Sequence, residues 1–248
     1  MKRFFIIAIA AASTLQVSAQ TDTTRSKGLG GLFKKAGSVL GSSKSGTSLS
    51  TDEIVAGLKE ALSLGAQQSA SKLSSVDGFL KDAAVKVLLP EDVKKVESKL
   101  RLLGMGKIVD QAITSMNRAA EEASKTAAPI FVNAVKKMTI TDALSILKGN
   151  DTSATSYLKR STTNELTNTF RPIVEAALKK VNATKYYGDL AVVYNKVAPK
   201  PVSTDLTEYV TDRAMSGMFY YIGVEEKKIR ENPAARVTEI LKKVFGAK

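Results

Sequence analysis

The sequence predicts an all-α fold: a single multi-helix domain of about nine helices with negligible β content. From Ser50 onward, apolar residues recur at the 3.6-residue spacing of an amphipathic helix. Alternation of β-branched residues at a period of two, which would indicate strands, is nowhere sustained. The composition, 44% hydrophobic and 25% charged, is that of a folded soluble protein. We therefore expect one helical domain over residues 50–248.

The N-terminal residues 1–19 have the pattern of a secretory signal peptide. Lys2 and Arg3 precede an uncharged run from Phe4 to Leu15, and Val17-Ser18-Ala19 supplies the small residues that cleavage requires. The alternative is a short membrane anchor, but the run is shorter than the roughly 20 apolar residues of a membrane span. We expect an exported protein, periplasmic or secreted, whose mature chain begins at Gln20 and has no transmembrane segment.

Residues 20–49 differ from the rest of the chain because they are rich in Gly, Ser and Thr and carry an excess of basic residues. This composition predicts a flexible basic linker. Within it, apolar residues from Leu29 to Leu40 recur at helical spacing around Lys34 and Lys35, so a short amphipathic segment on an anionic lipid surface is the alternative. The glycines interspersed there favour the linker, since each costs about 1 kcal/mol of helix stability relative to alanine.

Helix start and stop signals place the first elements. Ser50 and Glu53 form a capping box at the start of the first helix. Pro90 suits the first residue of another, whose apolar face reaches Leu103 and which we expect to stop at Gly104. A long alanine-rich face follows from residue 108 to residue 123, and its small side chains would let a neighbouring helix approach closely.

The second half of the domain is predicted from similar signals. Pro129 begins a short helix, and Thr141-Asp142 caps the next one, which ends at Lys148-Gly149. Pro172 interrupts a periodic stretch and predicts a kink or a boundary near residues 170–171. Three further helices are expected over residues 186–197, 205–231 and 233–245.

The composition excludes several kinds of chemistry, because the chain contains no Cys, no His and no Trp. Zinc sites with Cys or His ligands, a Cys nucleophile, a His general base and disulfides are all impossible. A di-iron helical bundle is excluded too, since it requires a Glu-x-x-His motif on each of two helices. No phosphate-binding glycine loop or nucleophile elbow is present. We predict no catalytic residues, no metal site and no cofactor.

The chain is basic, with a net charge of +13 that falls to +11 once Lys2 and Arg3 are removed with the signal peptide. The lysines are scattered and mostly alternate with acidic residues, so we do not expect a nucleic-acid partner. An anionic lipid or an envelope protein fits an exported chain better. The alternative is a solvated basic surface without a specific partner.

Two polar clusters on otherwise apolar helices are candidates for a ligand site. If they meet at a pocket, arginines would hold an anionic group and tyrosines would pack on its apolar part. The alternative is structural ion pairs at a spacing of four residues, Arg118–Glu122 and Glu226–Arg230. The candidate ligand-binding residues are Asn117, Arg118, Glu121, Arg171, Tyr220, Glu225 and Arg230.

These features support three hypotheses about function. The first is a non-enzymatic exported helical protein that binds an anionic lipid or a small acidic ligand. The second is a hydrolase or metal-dependent enzyme built on carboxylates and arginine, which requires Glu121, Glu122 and Glu225 to converge on one cleft. The third is a scaffold protein of the cell envelope.

Several short sequence blocks stand in one order along the domain: Gly57-Leu58-Lys59-Glu60-Ala61-Leu62, Asp77-Gly78-Phe79, Leu88-Leu89-Pro90, Met116-Asn117-Arg118-Ala119-Ala120-Glu121, Phe170-Arg171-Pro172 and Glu225-Glu226-Lys227-Lys228-Ile229-Arg230 with Pro233. In these blocks the chain resembles an exported bacterial family, domain of unknown function 4197. The resemblance extends over about residues 49–245, and it implies an all-helical domain behind a signal peptide, with no assigned activity, substrate or cofactor.

Overall fold

Helices make up most of the described chain in this computed structural model. It describes residues 50–180, 182–196, 201–202, 206–232 and 242. The chain divides into two units after Thr47, and all described residues belong to the second, Ser48–Lys248. The predicted signal peptide (1–19) and linker (20–49) therefore lie outside the described residues, as does the predicted last helix (233–245) except for Lys242.

The all-α prediction is confirmed, and the described residues contain no strand. The helices are α1 (Thr51–Ser74), α2 (Glu91–Lys94), α3 (Glu97–Leu100), α4 (Gly106–Ser124), α5 (Ala127–Lys137), α6 (Ile140–Lys148), α7 (Ser153–Lys180), α8 (Ala183–Asn195) and α9 (Thr207–Glu231). A π-helical turn, Arg101–Met105, joins α3 to α4. Because α2 and α3 are single turns of one irregular stretch, the described part of the domain has about eight helices rather than nine. Among the described helices, none has the length and apolar character needed to cross a membrane.

Helix α4 lies at the centre of the domain, in contact with α1, α5, α7, α8 and α9. Its predicted alanine-rich face is buried, with Ala112, Ala119, Ala120 and Ala123 inaccessible to solvent. Small side chains at these positions let the surrounding helices approach the α4 axis. Asn117 and Glu121 are buried on the same helix, so its polar residues are part of the interior.

Helix α9 packs against α1, α4 and α7, and one close approach depends on a glycine. A Cβ atom added at Gly217 would lie 2.6 Å from Cε1 of Phe79, well inside van der Waals contact. The missing side chain therefore lets the buried ring of Phe79, from the segment between α1 and α2, lie directly on α9. Two residues after Gly217, Phe219 forms an edge-to-face pair with Phe131 of α5, with ring centroids 5.8 Å apart.

Of the two outcomes predicted near residues 170–171, the helix boundary is wrong, because α7 continues through Pro172 to Lys180. The alternative, a kink, stays a prediction. A proline inside a helix removes one hydrogen bond and costs about 3 kcal/mol. The buried residues Leu166, Phe170, Val174 and Leu178 keep one helical face on both sides of it. Burial of this continuous stripe outweighs the local cost, since each such side chain contributes roughly 1.5–3 kcal/mol.

The helix ends show how far local signals are reliable. The capping box of Ser50 and Glu53 is present, as predicted. The predicted Thr141-Asp142 cap is wrong by two residues, because Thr139 is the N-cap and Asp142 is its capping-box partner. The backbone N–H of Asp142 donates to Thr139 Oγ1 at 3.1 Å, and the Asp142 carboxylate accepts from the backbone N–H of Thr139 at 3.0 Å. The helix ends at Lys148, before Gly149, as predicted.

Candidate functional site

Asn117 uses its side chain to hold the segment that precedes α2. Its Oδ1 accepts from the backbone N–H of Val87 at 2.8 Å, and its Nδ2 donates to Val87 O at 2.8 Å and to Ile113 O at 2.7 Å. The residue is inaccessible to solvent. The amide therefore satisfies both backbone groups of Val87, an arrangement that buried polar groups require.

Glu121 and Arg118 hold the turn at the start of the same segment. Glu121 Oε1 accepts from the backbone N–H groups of Phe79 and Leu80 at 3.2 and 3.3 Å. Arg118 donates to Glu121 Oε2 at 2.6 Å and to Asp77 Oδ1 at 2.7 Å. These hydrogen bonds, with that to Glu121 the stronger influence, raise the pKa of Arg118.

The predicted ion pair between Arg118 and Glu122 is wrong. Arg118 pairs with Glu121 instead, and Glu122 is exposed and pairs with Lys125 at 2.6 Å. Both carboxylates are within reach of Arg118 along the helix, at three and four residues. Tertiary contacts decide between the two carboxylates. Glu121 accepts from backbone N–H groups of the segment at residues 75–89, and Arg118 bonds both Glu121 and Asp77 of that segment.

The second predicted cluster contains a buried ion pair, Glu226–Arg230, with an N–O distance of 3.0 Å. Glu226 also accepts from the backbone N–H groups of Ala154 and Thr155, at 3.0 and 2.9 Å. These groups lie in the first turn of α7, where helical N–H groups lack partners and a negative charge is stabilising. Arg230 also donates to Ile146 O at 2.8 Å, so the pair joins α9 to both α6 and α7.

The remaining predicted residues lie elsewhere on the surface. Tyr220 is exposed and packs edge-to-face against Tyr221, while Glu225 pairs with Lys228 at 2.6 Å. Arg171 is exposed on α7. Within the described part of the chain, no hydrogen bond or ion pair connects the Asn117–Arg118–Glu121 group with Tyr220, Glu225 or Arg230. Their role in ligand binding stays a prediction.

A third polar cluster was missed at the sequence level. Lys72 of α1 donates to the Tyr221 hydroxyl at 2.6 Å and pairs with Asp82 at 3.2 Å, and the Tyr221 hydroxyl donates to Asp82. The hydrogen bond from Tyr221 is the main influence that lowers the pKa of Asp82. Because Tyr221 follows Asp82 by 139 residues, no local motif could have indicated this contact.

The carboxylates of the enzyme hypothesis contact three separate sets of partners. Glu121 binds the 79–80 backbone and Arg118, Glu122 binds Lys125, and Glu225 binds Lys228. The residues that the structure describes contain no group of three or more Asp or Glu side chains arranged to hold a metal ion. Among the described residues, these three carboxylates therefore share no hydrogen-bond or ion-pair partner.

Leu102, the most exposed large apolar residue of the described chain, and its neighbour Leu103 lie in the turn between α3 and α4, which we call the apolar tip (Arg101–Met105). Leu102 is 87% exposed and Leu103 is 71% exposed. The prediction that Leu103 lies on a buried face is therefore wrong, whereas the predicted stop at Gly104 is confirmed. Gly104 has a φ of +81°, which suits glycine, and it interrupts the helical backbone between α3 and α4.

The base of the apolar tip is held by the core and by ion pairs. Leu100 is buried before it, and Met105 packs against the core after it. Arg101 donates to Glu97 at 2.9 Å and to Asp110 at 2.7 Å, which connects α3 with α4. The hydrogen bond from Arg101 lowers the pKa of Asp110. The leucines are thus presented on an anchored turn.

Cations without an acidic partner lie on both sides of the leucines. Lys94 and Lys95 pair with Glu91 and Asp92 within α2. Lys99 and Lys107, however, form no ion pair with any residue in the described part of the chain. An exposed pair of leucines between two unpaired cations is typical of a surface that meets an anionic, partly apolar partner.

Comparison with known proteins gives one match. The model of a family described as a protein of unknown function (DUF4197) matches residues 48–246. No curated protein and no solved structure matches the chain. The match includes α1 to α9, the apolar tip and all seven candidate ligand residues. The chain therefore belongs to this family of proteins of unknown function, DUF4197.

Proposed function

We propose that this protein is a non-enzymatic, exported binding protein that attaches to anionic lipid surfaces through its apolar tip. The observation that carries the proposal is the exposure of Leu102 and Leu103, at 87% and 71%, on a turn whose two ends are anchored. Moving a leucine side chain from water into an apolar phase is favourable by roughly 1.5–3 kcal/mol. Two leucines therefore provide a substantial part of the free energy of a peripheral membrane contact.

Electrostatics favours an anionic surface over a neutral one. Lys99 and Lys107 lie within four residues of the leucines and have no acidic partner among the described side chains. A lysine close to an anionic membrane contributes about 1 kcal/mol, and this contribution falls as salt screens the charge. The net charge of +13 for the whole chain acts in the same direction.

The expected attachment is reversible, because two leucines and two lysines contribute only a few kcal/mol in total. Stable peripheral attachment generally takes two signals. The amphipathic pattern between Leu29 and Leu40, within the predicted linker, is a candidate for the second signal. Export is supported by the signal-peptide pattern of residues 1–19.

Co-sedimentation with vesicles tests the proposal on protein from which residues 1–19 have been removed. Vesicles containing phosphatidylglycerol are compared with vesicles of phosphatidylcholine alone. We expect binding to the anionic vesicles, and a loss of at least about tenfold in affinity when Leu102 and Leu103 are both replaced by aspartate, since each substitution removes apolar burial and adds repulsion. The melting temperature should be unchanged, because both side chains are exposed.

Val76→Asp is the control, because Val76 is 80% exposed at a different turn. It adds one negative charge, so its matched comparison is the single variant Leu102→Asp. The Val76 variant should bind vesicles almost like the unmodified protein. If the control and the tip variant lose the same affinity for anionic vesicles, the apolar tip is not the attachment site. If the unmodified protein does not bind anionic vesicles at all, the proposed function is wrong. Self-association that disappears in the tip variant would assign the tip to a dimer contact instead.

A further inference from the structure

A cleft of about 590 Å³ lies between α4 and α8. Its volume is within the range of small-molecule sites. Positions of α4 spaced by three or four residues line it, which places them on one helical face. The lining includes Lys107, Gln111, Thr114, Ser115 and Arg118 from α4 and Tyr186 from α8.

Ser115 indicates that this cleft is arranged for a polar ligand. The residue is only 6% exposed, yet its hydroxyl forms no hydrogen bond with any residue in the described part of the chain. No fully enclosed polar side-chain atom of the described residues lacks a partner, so this hydroxyl is accessible from the cleft that Ser115 lines. Because no group of the described protein occupies this hydroxyl, it can hydrogen-bond to a ligand in the cleft without breaking an internal hydrogen bond.

Two other buried serines of the domain behave differently. The hydroxyl of Ser69 donates to Gly65 O and that of Ser124 donates to Ala120 O, each at 2.8 Å. Both are satisfied by the carbonyl one helical turn earlier, a common solution for serine in a helix. The corresponding carbonyl for Ser115 is Gln111 O, but the Ser115 hydroxyl does not donate to it. This hydroxyl is therefore available to a group in the cleft.

The cleft has cationic donors towards both ends of its lining. Lys107 forms no ion pair with described residues, so it supplies net positive charge. Arg118 has two acidic partners, but only two of the five N–H groups of a guanidinium are needed for its bonds to Glu121 and Asp77. Its side chain is 35% exposed, so donors remain for a ligand. Asp110 also lines the cleft, and its carboxylate is paired with Arg101 at 2.7 Å.

We propose that the α4–α8 cleft binds a small organic phosphate. Lys107, which has no acidic partner among the described residues, would donate to the phosphate oxygens. Arg118, eleven residues or about 16 Å further along α4, would donate to a polar group at the other end of the ligand. Ser115 would hydrogen-bond to a polar group of the ligand, and the ring of Tyr186 would cover its apolar part. This site is additional to the apolar tip and does not require membrane attachment. The phosphate ester has two possible sources, a lipid headgroup or a free solute.

Titration followed by NMR and calorimetry tests the cleft on the protein without residues 1–19. The probes are glycerol 3-phosphate, which represents a free solute, and dihexanoylphosphatidylglycerol below its critical micelle concentration, which represents a lipid headgroup. We expect at least one probe to shift the resonances of Ser115 and Tyr186. Ser115→Ala should weaken that binding by up to about tenfold, the equivalent of one lost hydrogen bond. Ser115→Leu, which fills the cleft, should abolish it.

Ser69→Ala is the matched control, because it removes a buried hydroxyl that the protein itself satisfies. It should leave probe affinity unchanged, and melting curves of each variant verify folding. Tighter binding of the lipid probe than of glycerol 3-phosphate identifies a headgroup site, and the reverse identifies a solute site. If neither probe binds, or if Ser115→Ala and Ser69→Ala have equal effects, the cleft proposal is overturned. The variant with aspartate at both Leu102 and Leu103 should still bind the probe. The cleft proposal can therefore be tested independently of membrane attachment through the apolar tip.

Discussion

The two polar faces of α4 differ in how the protein uses them. On one face, Asn117 and Glu121 are buried and bonded to the backbone of the 75–89 segment. On the other, Ser115 is almost as buried but has no partner among the described residues. Asn117 and Glu121 hold the fold together, because a buried polar group with every bond made stabilises one arrangement. The unpartnered hydroxyl is the one available to a ligand.

The largest expected loss of stability is at Glu226, another buried polar residue whose hydrogen bonds are made within the protein. Replacing Glu226 with alanine should lower the free energy of unfolding by about 3–5 kcal/mol, because it breaks a buried ion pair and removes the acceptor for two N–H groups of α7. Urea denaturation measures the change.

Glu175→Ala is the matched comparison, since Glu175 pairs with Lys179 at 2.6 Å on the exposed side of α7. This substitution should cost less than about 0.5 kcal/mol, as exposed helical ion pairs do. If both variants lose the same stability, the distinction between buried and exposed pairs fails for this domain.

A somewhat smaller effect is expected at Asn117. Asn117→Ala should lower the free energy of unfolding by about 2–4 kcal/mol, because both backbone groups of Val87 lose their partner in the interior. Amide exchange of the Val87 N–H should become faster. Ser115→Ala, two residues away, should change stability by no more than about 0.5 kcal/mol. A larger loss at Ser115 than at Asn117 would reverse the proposed assignment of the two faces.

The smallest effect concerns the partly exposed Lys72–Tyr221–Asp82 cluster and depends on pH. The pKa of Asp82 is lowered in the folded protein, mainly by the Tyr221 hydroxyl. Its contribution to stability is therefore complete above the ordinary carboxyl pKa of about 3.9 and is lost as the pH falls through the lowered value.

Tyr221→Phe should reduce this acid-dependent loss by less than about 1 kcal/mol, because Lys72 is half exposed and the pairing is screened by solvent. Melting temperatures of both proteins between about pH 5 and pH 1 give the comparison. Asp82→Asn should reduce the acid-dependent loss of stability by a similar amount. The double variant should show little further reduction, because both substitutions remove the same hydrogen bond. A steeper acid dependence in Tyr221→Phe than in the unmodified protein would contradict the role given to this hydroxyl.

Local features of the fold were predictable because their partners are within four residues. The capping box of Ser50 and Glu53, the alanine-rich face of α4 and the Glu226–Arg230 pair all follow from helical spacing. Pro172 shows where this reasoning fails: a local penalty indicates a helix end, but burial of one continuous stripe across α7 decides otherwise. For the candidate site, the sequence indicated the Asn117 and Arg230 groups but not the apolar tip or the α4–α8 cleft.

The sequence by itself determined the helical class and the chemistry that is excluded, because periodicity and the absence of Cys and His are properties of the chain alone. Only the tertiary structure decided that Glu121 contacts the 79–80 backbone, that Tyr221 meets Asp82, and that Leu102 and Leu103 are left in solvent. The reason is physical: contacts between distant residues have no periodic signature, and an apolar residue is buried only if another part of the chain covers it.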